Sequence, residues 1–183
     1  MAKKESFQLC GYYPGVVGKI TELHAVYYHE NWGFDITFET QVGRELSDFM
    51  RGMEQGRDGF WSATVDGRFA GAVAIDGSLK STEGARLRWF IVEPSFQGRG
   101  IGQALLRTAI RFCEETGQPK IFLWTFKGLD AARRLYEAEG FVLDEEHNVR
   151  QWGSTIREQK FILSLKENSS GQQLKTEPRD SGE

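Results

Sequence analysis

The amino-acid sequence predicts an α/β protein, with helices on both faces of a mixed β-sheet. Two observations support this class. Short apolar runs rich in aromatic and β-branched residues alternate with longer stretches in which apolar residues recur every three or four positions. Segments that contain glycine or proline separate these runs and mark the turns. In chain order the segments read β-αα-βββ-α-β-α-ββ, without an internal repeat.

The first half of the chain contains a strand, two helices and a hairpin. Residues 7–10 form the first strand, and helical spacing of apolar residues predicts the two helices. Their apolar positions are Val16, Ile20, Leu23 and Tyr27, then Val42, Leu46, Phe49, Met50 and Met53. Strands over 60–65 and 69–75 follow, joined by Asp66-Gly67, which is typical of two-residue hairpin turns.

The second half contains the central strand and the longest helix. The strand covers residues 83–92, and the helix covers 98–116, where Gly117 and Pro119 end it. The remaining segments are a strand over 121–126, a helix over 130–139 with Asp130 as N-cap, and an antiparallel pair over 141–145 and 156–165.

A glycine-rich segment connects the central strand to the long helix. It reads Gln97-Gly98-Arg99-Gly100-Ile101-Gly102. Backbone N–H groups at a helix N-terminus lack intrahelical partners, and the helix dipole adds partial positive charge there. Glycine allows close approach of the backbone, and Arg99 adds a guanidinium suited to phosphate oxygens. The segment therefore predicts a ligand that carries a pyrophosphate.

Two common phosphate motifs do not fit this segment. A Rossmann site requires Gly-x-Gly-x-x-Gly and an acidic residue about 20 residues further on. Here the glycine order differs, and Glu114 and Glu115 lie inside the helix. A P-loop requires Gly-x-x-x-x-Gly-Lys-Ser/Thr, which the sequence does not contain.

The order Gln-x-x-Gly-x-Gly is similar to the acetyl-coenzyme A loop of the GNAT N-acetyltransferases. A second segment, Leu135-Tyr136-Glu137-Ala138-Glu139-Gly140-Phe141, resembles the second signature of that family, a helix that carries Leu-Tyr and ends in Gly-Phe. The resemblance covers roughly residues 7–166, which implies one domain with the GNAT fold. Residues 1–6 are then an N-terminal extension, and residues 167–183 a disordered polar tail.

Aromatic motifs narrow the resemblance. Gly11-Tyr12-Tyr13-Pro14-Gly15, Trp32-Gly33-Phe34 and Gln151-Trp152-Gly153 resemble the acetyltransferase half of fusion proteins whose other half is a MarR-type winged helix. The winged-helix half is absent from this sequence, so no DNA-binding function is expected from the likeness.

The resemblance implies an acetyl-CoA site built mainly from backbone groups, without a metal. The expected cofactor-binding residues are Phe90, Ile91, Val92, Gln97, Gly98, Arg99, Gly100, Ile101, Gly102, Thr125 and Ala132. The central strand is expected to splay from its neighbour near Ile91 and Val92, which frees backbone groups for the pantetheine arm and a donor for the thioester carbonyl. Many family members hold the pantetheine amide with an asparagine where this chain has Leu129, and Thr125 could substitute for it.

Catalytic roles follow from the same resemblance. The family's tyrosine points at the sulfur, so Tyr136 is the candidate general acid for the leaving thiolate. The positions that hold a base in some family members carry Arg86 and Arg88 here, and arginine cannot accept a proton at ordinary pH. Glu39 is the candidate base, with Glu30, Asp35, His29 and water left open as alternatives.

Arg86 and Arg88 point to one face of the central strand, because side chains alternate along a strand. Two guanidinium groups beside the acceptor would suit a carboxylate or phosphate, and pairing with acidic residues of neighbouring strands is the alternative. The expected function is direct transfer of the acetyl group of acetyl-CoA, in a ternary complex, to the primary amine of a small molecule, one that could bear such an anion. Protein lysine or N-terminal acetylation and a non-catalytic acetyl-CoA-sensing module remain alternatives.

Composition limits the partners and the location. The 183-residue chain has a formal net charge of -3, which gives no electrostatic footprint for nucleic acid or an anionic membrane. No apolar stretch is long enough to span a bilayer, and the N-terminus lacks the apolar region of a signal peptide. Cys10 and Cys113 lie far apart, as expected of reduced thiols in the cytoplasm. Homodimers are common among such domains, so a homodimer is left open.

Overall fold

The structure is a computed structural model that describes residues 6–78 and 84–165. Its helices are α1 Val16–Trp32, α2 Ile36–Gly52, α3 Ile101–Glu115 and α4 Asp130–Ala138. Its strands are β1 Phe7–Cys10, β2 Gly59–Val65, β3 Arg68–Asp76, β4 Ala85–Val92, β5 Lys120–Phe126, β6 Val142–Gln151 and β7 Ser154–Ser164. The predicted class and element order are confirmed. The tail predicted over 167–183 lies outside the described residues.

The strands form one sheet in the order β1-β2-β3-β4-β5-β7-β6. All neighbouring strands are antiparallel except β4 and β5. This parallel pair is short, since it joins only Ala85 to Ile121 and Arg86 to Phe122. The two strands then separate, as the family resemblance implied for the far end of β4, and the sheet opens at its centre.

A β-bulge lies in β4 beyond the last parallel pair. Between Arg88 and Ile91, β4 contains Trp89 and Phe90 where β3 contains a single residue. Trp89 has a φ of 47°, in the left-handed region, which costs a non-glycine residue on the order of 1 kcal/mol or more. Its ring packs against Phe49, with the centroids 5.3 Å apart. The extra residue reverses the alternation of side chains, so Phe90 packs on the α3 side of the sheet while Trp89 and Arg88 meet α1 and α2.

The core has one layer of helix on each face of the sheet. On one face the apolar stripe of α3 is buried, with Ile101, Leu105 and Ala109 at most 1% exposed. On the other face α1 and α2 bury Ile20 and Leu46 against the sheet. None of the helices in residues 6–78 and 84–165 combines the length and the apolar character needed to cross a bilayer.

The last hairpin is longer than the sequence predicted. Strands over 141–145 and 156–165 would leave a long loop, whereas β6 and β7 continue to a two-residue turn at Trp152 and Gly153. Both turn residues have positive φ, 52° and 78°. β6 is an edge strand with mostly exposed side chains, so its polar second half shows no apolar alternation that could have indicated a strand.

Candidate active site

Two cavities meet where β4 and β5 separate. The first, which we call the loop cleft, has a volume of about 520 Å³ and lies between the end of β4, the glycine loop and α4. The second, the inner cavity, has a volume of about 260 Å³ and lies below α1 and α2. Tyr28, Phe90, Leu129 and Ala132 line both, so the two spaces share a wall at the opening in the sheet.

The loop cleft brings together most of the predicted cofactor-binding residues. Its lining includes Phe90, Ile91, Val92, Gln97, Gly98, Ile101, Gly102 and Ala132. Arg99 and Gly100 belong to the same loop but stand outside the described lining. The Arg99 guanidinium instead lies 5.2 Å from the Phe96 ring centroid and donates to Ser95 O at 3.3 Å. Thr125 lines the inner cavity.

The first turn of α3 directs backbone donors towards the loop cleft. Gly100 is the N-cap, with a φ of 83°, and no side-chain hydrogen bond caps the helix. Ala104 N donates to Gly100 O at 3.0 Å, so the N–H groups of the preceding turn have no intrahelical partner. A Cβ at Gly100 would meet no atom within 4 Å, whereas one at Gly102 would lie 3.1 Å from Leu135 Cδ1. Gly100 thus exposes the amides, and Gly102 lets α3 approach α4.

The cleft's second wall is formed by α4 and the residues beside it, and sequence reasoning assigned only Ala132 of α4 to the cofactor site. This wall includes Tyr27, Gly128, Asp130, Ala131, Arg134 and Leu135. Arg134 adds a positive charge beside the cleft from the middle of α4. These residues meet the glycine loop only through the fold, and no motif in the sequence marks Arg134 as a ligand.

The inner cavity is walled largely by aromatic side chains. The Tyr28 ring lies 5.1 Å from the Phe38 ring and 5.7 Å from the Phe126 ring, measured between centroids. Trp152, at the tip of the β6–β7 hairpin, closes one side, and its indole N–H donates to Gln41 Oε1 at 2.8 Å. The long last hairpin therefore completes a cavity that begins at α1.

The hairpin tip docks on the junction between α1 and α2. Asp35 N donates to Trp152 O at 3.1 Å, and Ser154 Oγ donates to Trp32 O at 3.0 Å. A Cβ at Gly153 would lie 2.8 Å from Asp35 Oδ2. Glycine is required there both for this close approach and for its φ of 78°.

Tyr136 lies on α4, lines the inner cavity and is 5% exposed. Burial raises the pKa of its phenol far above the ordinary value of 10.0, and Tyr28 adds to this effect. The phenol forms no hydrogen bond within the described residues. At neutral pH it is a protonated group whose donor is available to a ligand in the cavity.

The two arginines of β4 have different surroundings. Arg88 is bound by Glu45, and its Nη1 lies 3.3 Å from Asp76 Oδ2. Arg86 Nε is buried and has no hydrogen-bond partner. Burial and the charge of Arg88 lower the pKa of Arg86, against the opposing effect of Glu45, Asp76 and Glu158. Arg88 therefore pairs with acidic residues of the same chain. Arg86 keeps one N–H donor, at Nε, without a hydrogen-bond partner.

Glu39, the candidate base, is not brought to the site. It is exposed in the first turn of α2 and lines neither cavity. Phe38 and Val42 are the buried positions of this part of α2. Glu39 follows Phe38 directly, so the helix directs its side chain towards solvent. The carboxylates that line the inner cavity are Glu45 and Glu158, and neither belongs to a recognisable motif.

A model of the acetyltransferase (GNAT) family matches residues 19–141. The chain belongs to this family. The narrower likeness to the MarR-type fusion proteins stays a prediction. The matched region ends one residue before β6, so the hairpin wall of the inner cavity lies outside it. The matched region therefore contains the whole lining of the loop cleft but only part of the lining of the inner cavity.

Two relatives are similar over part of their length. An uncharacterized N-acetyltransferase of Methanocaldococcus jannaschii is 33% identical over 104 residues, which cover 55% of this chain and 45% of that protein. N-acetylaspartate synthetase of Xenopus tropicalis is 34% identical over 89 residues, 49% of this chain and 32% of that protein. The chain thus matches less than half the length of each of these two relatives.

The fold is also that of solved structures. A Salmonella typhimurium protein, described as an acetyltransferase with its cofactor acetyl-CoA, superposes with a TM-score of 0.72. The superposition covers 90% of this chain and 96% of that one, at 16% sequence identity. At this identity the likeness establishes the fold of the chain.

Proposed function

We propose that the protein is an acetyl-CoA-dependent N-acetyltransferase whose acceptor is the primary amine of a small molecule bearing a carboxylate or phosphate. Family membership supports the donor and the reaction. The observation that carries the acceptor class is Arg86 Nε, which is buried beside the inner cavity without a partner.

Acetyl-CoA fits the loop cleft in its charge and in its shape. The N–H groups before Ala104 suit a pyrophosphate, and Arg134 adds positive charge nearby. The opening between β4 and β5 leaves backbone groups of β4 for the pantetheine arm, while Leu129 offers an apolar surface instead of an amide. The acetyl group then lies at the shared wall beside Tyr28.

Two groups of the chain act on the thioester. A backbone N–H near Ile91 stabilises the negative charge that develops on the carbonyl oxygen, an interaction worth roughly 3 kcal/mol in other acyl-transfer enzymes. Tyr136 donates its proton to the departing sulfur, since the phenol is protonated at neutral pH and lines the cavity.

The inner cavity holds the acceptor. Arg86 donates to its anionic group, because a buried guanidinium nitrogen without a hydrogen-bond partner gains most from a charged acceptor. The aromatic wall of Tyr28, Phe38 and Trp152 limits the cavity to a small molecule. The likeness to N-acetylaspartate synthetase, an enzyme named for an acidic product, supports this acceptor class.

Donor binding is tested by isothermal titration with acetyl-CoA. We expect the wild type to bind, Gly100→Glu to lose binding, and Gly100→Ala to retain most of it. Both variants impose a side chain at a φ of 83°, and only glutamate adds a charge that repels phosphate. Absence of binding by the wild type would overturn the proposed function. Binding without turnover of any amine would favour an acetyl-CoA sensor.

Acceptor class is tested by thiol release with amines offered in pairs, each acid beside its neutral amide. We expect the wild type to prefer the acids and Arg86→Met to lose this preference by about 10- to 150-fold in kcat/KM, since bonds to charged groups are worth about 1.5–3 kcal/mol. The matched control is Arg111→Met, at an exposed position on α3. An unchanged preference in Arg86→Met would refute the anionic acceptor and leave the donor assignment intact.

A further inference from the structure

We infer that Glu158 is the general base that accepts the proton of the acceptor amine, and that His147 passes this proton to solvent. The inference rests on the proposed function, because it assigns one step of the same reaction. It replaces Glu39 with a pair of residues on the β6–β7 hairpin.

The two side chains connect the inner cavity to the outside. Glu158 lines the cavity, and its side chain is 21% exposed. It stands directly opposite Phe126 on β5 and His147 on β6. His147 Nε2 lies 3.3 Å from Glu158 Oε2, and the His147 side chain is 47% exposed. A proton that reaches the carboxylate therefore has a short path to water.

The imidazole is held in place by a ring contact. His147 packs edge-on against Trp124, with the centroids 5.7 Å apart and the planes at 78°. Trp124 itself lines the inner cavity. The indole thus separates His147 from the cavity and leaves Glu158 as the member of the pair that an acceptor can contact.

The other cavity carboxylate is already engaged. Glu45 binds Arg88, so its charge is used within the fold. The titratable side chains near Glu158 are His147 from β6, Arg86 from β4 and Lys160, two residues further along β7, whose Nζ lies 5.7 Å from the Trp124 ring centroid. The β5 residues on this face are Trp124 and Phe126. Arg86 and Glu158 both line the inner cavity, so an acceptor whose anion binds Arg86 has its ammonium in the space that Glu158 borders.

The proton balance closes with these groups. Glu158 takes one proton from the ammonium and hands it to His147 Nε2, from which it leaves to water. The neutral nitrogen then forms the C–N bond as the C–S bond breaks, and Tyr136 protonates the sulfur. The second proton of the nitrogen restores the Tyr136 phenol. One proton is released for each amide and thiol formed.

The test is the pH dependence of kcat/KM in Glu158→Gln, which keeps the size of the side chain and removes its basicity. A general base contributes about 100-fold or more at neutral pH. We expect a loss of this size at pH 7 that shrinks progressively towards pH 9.5, where the free amine needs no base. His147→Gln is expected to show a smaller loss with the same trend. Acetyl-CoA affinity should stay unchanged in both, which reports correct folding.

The control is Glu146→Gln, the same change at the residue that precedes His147 on β6. The Glu146 carboxylate binds Arg157 and Gln159 and lines neither cavity. It should match the wild type. A loss in Glu158→Gln that is equal at every pH would overturn the base and indicate a binding role. A wild type that acetylates no amine in the panel would overturn the proposed function itself, and the base with it.

Discussion

His24 makes the folded domain sensitive to acid, and the size of the effect follows from its surroundings. The side chain is 6% exposed on α1, and its Nδ1 donates to Ile20 O at 2.8 Å. Burial lowers the pKa of His24 from 6.5 to about 4, although the hydrogen bond to Ile20 opposes the shift. The imidazole is therefore neutral in the folded protein at neutral pH.

The sign of the pH effect follows from proton binding. Between pH 6.5 and about 4 the unfolded chain binds a proton at His24 that the folded chain does not bind. The free energy of unfolding therefore falls as the pH falls through this range, and it is fully retained above pH 6.5. At about 1.4 kcal/mol per unit of pKa difference, the loss approaches about 3 kcal/mol near pH 4. For a domain of this size, this corresponds to a fall in Tm of about 6–12 °C.

The measurement is thermal unfolding followed by circular dichroism between pH 7.5 and pH 4.5, for the wild type and His24→Leu. The variant lacks the titrating group, so its Tm should change much less with pH. This window lies above the range in which carboxylates with lowered pKa values titrate, such as Glu146 beside Arg157. Parallel Tm curves for the two proteins would show that His24 does not cause the acid sensitivity.

Two further changes test the site. Tyr136→Phe should lower kcat by about 100-fold and leave the KM for acetyl-CoA within about twofold, because the hydroxyl acts in proton transfer and not in binding of the donor. An unchanged kcat in the thiol-release assay would refute the acid role. Gly153→Ala should lower the free energy of unfolding by about 1–3 kcal/mol and raise the acceptor KM, since its Cβ would lie 2.8 Å from Asp35 Oδ2. The control is Gly67→Ala, where φ is 74° and a Cβ would meet no atom within 4 Å, so only backbone strain lowers its free energy of unfolding. This loss should be smaller than that of Gly153→Ala, and equal losses for the two variants in a denaturation experiment would contradict the steric argument.

The loop cleft was largely predictable because it is local in the sequence. A strand, a glycine turn and a helix start follow one another from Ile91 to Gly102, and each leaves a compositional signal. The bulge at Trp89 left none, because tryptophan rarely adopts a positive φ and nothing beside it marks the exception.

The inner cavity was less predictable because it is assembled from distant segments. Glu39 and Glu158 look alike in the sequence, and only the helix phase of α2 and the register of β7 decide which one faces the cavity. The available donor of Arg86 likewise depends on Glu45 binding its neighbour Arg88, a contact between residues 43 positions apart.

The docked tip of the β6–β7 hairpin allows one part of the site to evolve independently of the other. Trp152 lines the inner cavity, yet both turn residues, Trp152 and Gly153, lie beyond the segment that matches the family model. Under the proposed function, substitutions in this hairpin could change which amine is accepted and leave the loop cleft unchanged. Grafting the hairpin from one member of the family onto another would be a direct way to transfer substrate preference between them.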